Sequence, residues 1–116
     1  MDYQGKNIRR VEVLVIGAGP AGSVASALLR RQGRQVLVLE REQFPRFSIG
    51  ESLLPQSMEY LEQAGMLTAV QQAGFQLKNG AAFARGDQFT EFNFSDKYSA
   101  GWSTTYQVER ARFDHL

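Results

Sequence analysis

The sequence predicts an α/β fold that opens with a parallel βαβ unit, and features near its start predict it. Val11 to Ile16 reads Val-Glu-Val-Leu-Val-Ile, β-branched and almost continuously apolar, as a strand buried in a parallel sheet should be. Glu12, near the start of that run, can reach solvent. Gly17-Ala18-Gly19-Pro20-Ala21-Gly22 then ends the strand. Ala21 to Arg31 follows with small and apolar residues at helical spacing, so Ala21, Val24, Ala25 and Leu28 form the stripe expected to bury against a sheet. Gly33 closes that helix, and Gln35 to Glu40 is a second apolar run ending in a carboxylate. Parallel strands joined through a helix cross over right-handed.

The elements beyond this unit are shorter. Met1 to Arg10 is polar and aperiodic and reads as a flexible tail. Phe44 to Ser52 is irregular, with Ser52 placed to cap a helix that carries Pro55 in its first turn. Leu54, Met58 and Leu61 repeat at helical spacing before Gly65, and Leu67 to Ala73 reads as another short helix ended by Gly74. The period then changes to two, with Leu77, Ala81 and Phe83 on one face and Lys78, Gly80, Ala82 and Ala84 on the other. Arg85-Gly86-Asp87 turns the chain into a partner strand, Gln88 to Phe94, giving a β-hairpin. Trp102 to Val108 reads as a further strand, and Glu109 to Leu116 as the start of a helix. Residues 11–116 are thus expected to be the N-terminal part of a domain that is incomplete as given. Two parallel strands and a hairpin cannot cover both faces of a doubly wound sheet.

Composition excludes several classes of function. The 116 residues, 43% of them hydrophobic, suit a folded domain. The net charge of +1 comes from 13 basic and 12 acidic residues without a run of like sign, so neither nucleic acid nor a membrane surface is an expected partner. Without cysteine, and with His115 as the sole histidine, no metal site, thiol nucleophile or Ser/His/Asp triad is expected. His115 reads as an ordinary surface or helix-end residue. The run Val13 to Ile16 is too short for a signal or membrane helix, and a cytoplasmic location is expected.

The glycine-rich turn carries the first chemical inference. Gly-x-Gly-x-x-Gly alone is weak evidence, but Gly17, Gly19 and Gly22 lie between a buried strand and a helix. There the first glycine permits a tight turn, the second lets the backbone approach a diphosphate, and the third lets helix and strand pack closely. The phosphates would face the positive end of the helix. Glu40, about twenty residues on, is placed to accept both hydroxyls of an adenosine ribose, and a carboxylate there disfavours a 2′-phosphate. Glycines that served only packing would not need strand, turn, helix, strand and acid all to agree. FAD and NAD both use such a site, and spacing leaves the choice open.

The string Gly17-Ala-Gly-Pro-Ala-Gly, then Glu40-Arg41, then Phe44-Pro-Arg-Phe-Ser-Ile-Gly-Glu-Ser-Leu-Leu-Pro55 resembles the flavin-dependent halogenases. The resemblance runs from Val11 to Leu116. The first βαβ unit alone is similar across a wider group that includes aromatic hydroxylases and geranylgeranyl reductases, and the Phe-Pro-Arg and Gly-Glu-Ser segment narrows it. The resemblance implies a Rossmann-like FAD-binding domain with FAD as cofactor. It implies cofactor contacts from Gly17, Gly19, Pro20, Ala21, Gly22, Glu40, Arg41 and Arg46, and places Ile49, Gly50, Glu51 and Ser52 beside the isoalloxazine ring. Many relatives have histidine at the position of Ser48. Phe75-Gln-Leu-Lys-Asn-Gly80 is similar to the Phe-x-x-Lys-x-Gly setting of the halogenases' catalytic lysine, which Lys78 matches. A lone strand lysine is usually a solvated surface residue, but Gly80, Ala82 and Ala84 would leave its face open to a tunnel or ligand. Tyr106 to Asp114 is similar to the strand-to-helix corner of the same group, where Arg110 matches a residue near FAD and Gln107 lies close by.

In such enzymes reduced FAD, oxygen and halide yield hypohalous acid, which Lys78 would deliver, either polarising its oxygen as an ammonium or trapping the halogen as a free amine. The acceptor would be an electron-rich arene or pyrrole, free or tethered to a carrier protein, and a separate flavin reductase would supply the reduced flavin. The uncovered sheet faces also predict a protein several times longer, with these residues alone binding FAD poorly or not at all. The Trp-x-Trp-x-Ile-Pro element that tells halogenases from hydroxylases would lie beyond Leu116, and Trp102 does not replace it. Two other readings stand: an FAD monooxygenase or reductase that needs no halide, and a non-catalytic flavin-binding module.

Overall fold

A computed structural model describes residues 8–116. Most of the expected N-terminal tail, residues 1–7, lies outside the described residues, and residues 8–10 are exposed and without regular structure. The chain forms two compact units, divided between Arg41 and Glu42.

The first unit is the expected βαβ. Strand β1 (Val13–Ile16) and strand β2 (Val36–Leu39) are parallel, with Val13 opposite Val36 and Ile16 opposite Leu39. Helix α1 (Pro20–Arg31) connects them. Proline suits the first helical position because that N–H has no intrahelical partner. At the other end Gly33, at φ +81°, donates its N–H to the Arg30 carbonyl at 3.0 Å and stops the helix. The Glu12 carboxylate accepts the Gln35 N–H at 2.7 Å and pairs with Arg34 at 3.6 Å, pinning the entry to β2.

Burial differs from the sequence expectation. Along β1 exposure alternates, with Ile16 83% exposed, and no residue of α1 is fully buried. Of the expected helix stripe, Val24 and Leu28 are half-buried while Ala21 and Ala25 are exposed. The reason is that one helix covers one face of a two-stranded sheet, so apolar continuity along a strand does not secure burial on both sides.

The second unit holds the core. Helices α2 (Pro55–Ala64) and α3 (Leu67–Gln72) contribute Met58, Leu61, Ala64 and Val70. Phe75, Phe94, Val108 and Phe113 complete it around a fully buried Thr105. Gly65 caps α2 in the left-handed region at φ 77°. Ser52 is not the cap of α2; Leu54 takes that position without a side-chain hydrogen bond, and at 59% exposure it stands outside the core.

The period-two run after Gly74 is not one strand. β3 (Gln76–Lys78) pairs antiparallel with β6 (Thr105–Gln107), whereas β4 (Gly80–Arg85) pairs with β5 (Gln88–Asn93). Asn79 is the break, and its carbonyl accepts the Phe94 N–H at 2.8 Å. Lys78 therefore shares no strand face with Gly80, Ala82 and Ala84. The expected hairpin forms with Gly86 and Asp87 as its two-residue turn, Gly86 at φ +61°, a positive φ at the first central position as a type II′ turn requires. β6 is shorter than expected, and α4 (Arg110–Phe113) starts after Glu109. Among the described residues no helix is long and apolar enough to cross a membrane, and no cluster of metal-ligating side chains occurs.

Candidate functional site

The junction of β1 and α1 is built around the glycines. Gly17 takes φ +102° and donates its N–H to the Leu39 carbonyl at 2.7 Å, tying the turn to the end of β2. A Cβ on Gly22 would lie 2.0 Å from the Gly17 carbonyl oxygen, so the third glycine is fixed by close helix–strand packing. Gly19 is the N-cap, with extended backbone and no side-chain hydrogen bond over the helix end, and no acidic residue occupies the first turn. Such an end presents N–H groups and a positive dipole to an anion. The Ser23 hydroxyl donates to the Ala18 carbonyl at 3.0 Å, holding the loop onto the helix.

Glu40 turns towards this junction. Its Oε2 accepts the Ala18 N–H at 2.8 Å, across 22 residues of sequence. Gly17, Gly19, Pro20, Ala21, Gly22 and Glu40 are therefore gathered at one corner, with Arg41 exposed just after it. A carboxylate anchored beside a glycine turn and a helix N-terminus fits a diphosphate with an attached ribose.

In the second unit, residues 51–53 lie along β6. The Val108 N–H donates to the Glu51 carbonyl at 2.7 Å, Ser52 bridges Gln107, and the Leu53 N–H donates to the Tyr106 carbonyl at 3.1 Å. β6 thus has β3 on one edge and the Gly-Glu-Ser stretch on the other. This arrangement brings Lys78, at the end of β3, across to Ser52. The Lys78 ammonium donates to the Ser52 hydroxyl, lies 3.5 Å from the Leu53 carbonyl oxygen, and sits 5.3 Å from the centre of the Phe94 ring.

Just ahead of this stretch an ionic cluster holds the loop. The Asp114 carboxylate is 0% exposed. Arg110 grips it in a fork, Nε to Oδ1 at 2.8 Å and Nη2 to Oδ2 at 3.0 Å, while Nη1 donates to the Ile49 carbonyl at 2.5 Å and reaches the Gly50 carbonyl at 3.4 Å. Arg46 approaches the same carboxylate at 3.4 Å, pairs with Glu42 at 3.5 Å, and lies over the Phe44 ring. The hydrogen bond to Asp114 raises the Arg110 pKa, burial opposes the rise, and the charges of Asp114 and Glu51 add to it. Gly50 is at φ +97°, and Glu51 accepts its N–H at 3.1 Å.

Arg46, Ile49, Gly50, Glu51, Ser52, Lys78, Gln107 and Arg110 thus belong to one connected region of the second unit. Sequence reasoning did not single out Asp114 or Phe94. Asp114 closes the quoted Tyr106-to-Asp114 string, and its i, i+4 spacing from Arg110 on a helix start was the available signal.

A strand, glycine turn and helix with an acid facing the turn define a dinucleotide-binding domain. The chain belongs to the FAD binding domain family, which matches residues 10–113, and FAD is its cofactor. It is similar to the flavin-dependent halogenase armH3 of Armillaria mellea, 38% identical over 109 residues that cover 90% of this chain and 21% of that protein. Among solved structures, the flavoprotein/dehydrogenase of Cytophaga hutchinsonii is 56% identical with a TM-score of 0.84, over 91% of this chain and 26% of that one. The myxobacterial chondrochloren halogenase CndH is 38% identical with a TM-score of 0.79, over 90% of this chain and 25% of that one. The chain spans 21% of the length of armH3 and a similar share of the other curated relatives it matches.

Proposed function

We propose that this chain is the cofactor-binding part of a flavin-dependent halogenase, with Lys78 as its catalytic residue. The observation that carries the proposal is the seating of the Lys78 ammonium on the Ser52 hydroxyl and over the Phe94 ring. It joins two segments whose resemblance to halogenases is independent, 26 residues apart in sequence. In this reading Gly17, Gly19, Pro20, Ala21, Gly22, Glu40 and Arg41 take the ADP half of FAD. Arg46, Ile49, Gly50, Glu51, Ser52, Gln107 and Arg110 shape the flavin end.

Bound FAD, once reduced, supplies with oxygen and halide the hypohalous acid. Lys78 then donates a hydrogen bond to the oxygen of that acid, which weakens the halogen–oxygen bond. The arene carbon takes the halogen, the bond to oxygen breaks, and the displaced hydroxide leaves as water with the arene proton. Ser52, the Leu53 carbonyl and Phe94 hold the ammonium in one orientation, and that orientation is the part of catalysis this chain supplies. An electron-rich arene or pyrrole, free or carrier-tethered, is the proposed acceptor, a separate flavin reductase the proposed electron source, and the cytoplasm the proposed location.

A second reading, an FAD oxidoreductase that uses no halide, is favoured by the description of the 56% identical structure as a flavoprotein/dehydrogenase. The deciding experiment supplies the full-length flavoprotein with a flavin reductase, NADH, oxygen and bromide, and follows halogenation of a reporter phenol. Bromide-dependent product that Lys78→Ala abolishes supports the first reading. Equal product from the variant removes Lys78 from catalysis, and product that does not depend on halide supports the second.

A further inference from the structure

The Arg110 guanidinium spends its donors on the protein itself: Nε and Nη2 on the Asp114 carboxylate and Nη1 on the carbonyls of Ile49 and Gly50. Little of that side chain faces solvent, at 13% exposure, and its charge is matched by a carboxylate with none. An arginine so engaged is a poor ligand for a phosphate and a good brace for a loop. What it braces is the turn at Gly50, whose φ of +97° L side chains rarely adopt. A Cβ at Gly50 would come within 3.0 Å of Arg110 Nη1, so loop and guanidinium are in direct contact.

We infer that Asp114 is a positioning residue: through Arg110 it fixes the carbonyls of Ile49 and Gly50, and so the course of the chain from Gly50 to Ser52. The path runs through hydrogen bonds and a short stretch of backbone. Asp114 holds Arg110, Arg110 holds residues 49 and 50, and two residues on Ser52 receives the Lys78 ammonium. Asp114 sets the angle of the guanidinium, because a bidentate carboxylate defines the plane of the fork. Without it Nη1 would be free to swing away from both carbonyls. Arg46, at 3.4 Å from the same carboxylate, would lose that contact in the same step while keeping its pair with Glu42. The inference rests on residues 49–52 facing the flavin rather than the ADP half of the cofactor.

The test compares FAD with ADP on the full-length flavoprotein. Asp114→Asn keeps the volume and removes the charge. The expected result is FAD binding weakened about tenfold, with a shifted visible spectrum of the bound flavin, and ADP binding unchanged. The double variant Asp114→Asn/Arg110→Gln should bind FAD no more weakly than Arg110→Gln alone, since both changes break one path. If Asp114→Asn lacks a cooperative melt, Arg110→Lys serves instead. It keeps a cation for Asp114 without the fork, and should give the same loss for FAD alone. Unchanged FAD binding and spectrum in a folded variant, or an equal loss for FAD and ADP, would overturn the role. Wild-type protein that bound neither nucleotide would overturn the cofactor reading as well.

Discussion

Replacing Gly22 by alanine tests the geometry on which the dinucleotide site depends. The added methyl would stand 2.0 Å from the Gly17 carbonyl oxygen, 3.1 Å from its carbon and 3.4 Å from Val15 Cγ1. A carbon and an oxygen rest at roughly 3.3 Å, so the turn or the helix must shift by more than about 1 Å. The obstructing atoms at 17 are backbone, which cannot rotate aside, so the cost belongs at the upper end of overpacking, about 3 kcal/mol. Gly33→Ala is the matched control. Gly33 has φ +81° with nothing within 4 Å of a Cβ, so only backbone conformation is penalised, at about 1 kcal/mol. In thermal melts of the full-length protein, expected to be several times longer than this chain, Gly22→Ala should fall by roughly 3 °C and Gly33→Ala by about 1 °C. Moving the amides of the helix end would also weaken the bonds proposed for them to the diphosphate, so Gly22→Ala should lose at least about tenfold in FAD affinity by fluorescence titration, and Gly33→Ala none. Equal melting and equal FAD affinity for the two variants would refute the claim that position 22 is closed by the Gly17 carbonyl.

Glu40→Gln keeps an oxygen for the Ala18 N–H but removes the charge that a ribose diol would meet, and FAD should bind about tenfold more weakly in the same titration. Ser52→Ala takes away the acceptor of the Lys78 ammonium; halogenation in the reporter-phenol assay should fall about tenfold through kcat while the flavin stays bound. Phe94→Ala, at 6% exposure, should cost about 3–5 kcal/mol in denaturant unfolding, whereas Phe89→Ala, at 67% exposure, should cost well under 1 kcal/mol. Arg110 has a raised pKa, so its contribution to stability is complete below the ordinary arginine pKa and is lost only as pH climbs through the raised value. Melting temperatures of wild type and Arg110→Gln should therefore differ by a constant amount across the neutral range.

The βαβ unit was legible because local rules fix it. A β-branched run, a glycine turn, a proline-started helix and a carboxylate at the end of β2 each constrain the backbone within a few residues, and Glu40 faces the turn as expected. Burial was less legible. Apolar continuity in Val13–Ile16 predicted two covered faces, but coverage depends on how many elements pack on the sheet. The break at Asn79 was hidden for a similar reason. A period of two runs unchanged through β3 and β4, yet β3 joins β6, far along the chain, while β4 folds back on β5 through the adjacent turn. Gln107 and Ser52 were each placed near the cofactor by resemblance, yet nothing in composition or spacing showed that they would pair with each other.

Charged side chains at this site divide by whether their hydrogen-bonding capacity is already used. The Asp114 side chain is enclosed and meets two arginines, so it acts on any ligand only through them. Lys78 is different, because an ammonium has three donors and the structure assigns one to Ser52 and a long contact to Leu53. A cation held on one side by a hydroxyl and an aromatic ring, with donor capacity left, can reach an oxygen presented to it without first breaking its own support. The Gly50–Ser52 stretch and the Lys78 ammonium therefore come from opposite edges of the same short strand, β6, and a change that frees the loop from β6 should disturb the amine as well.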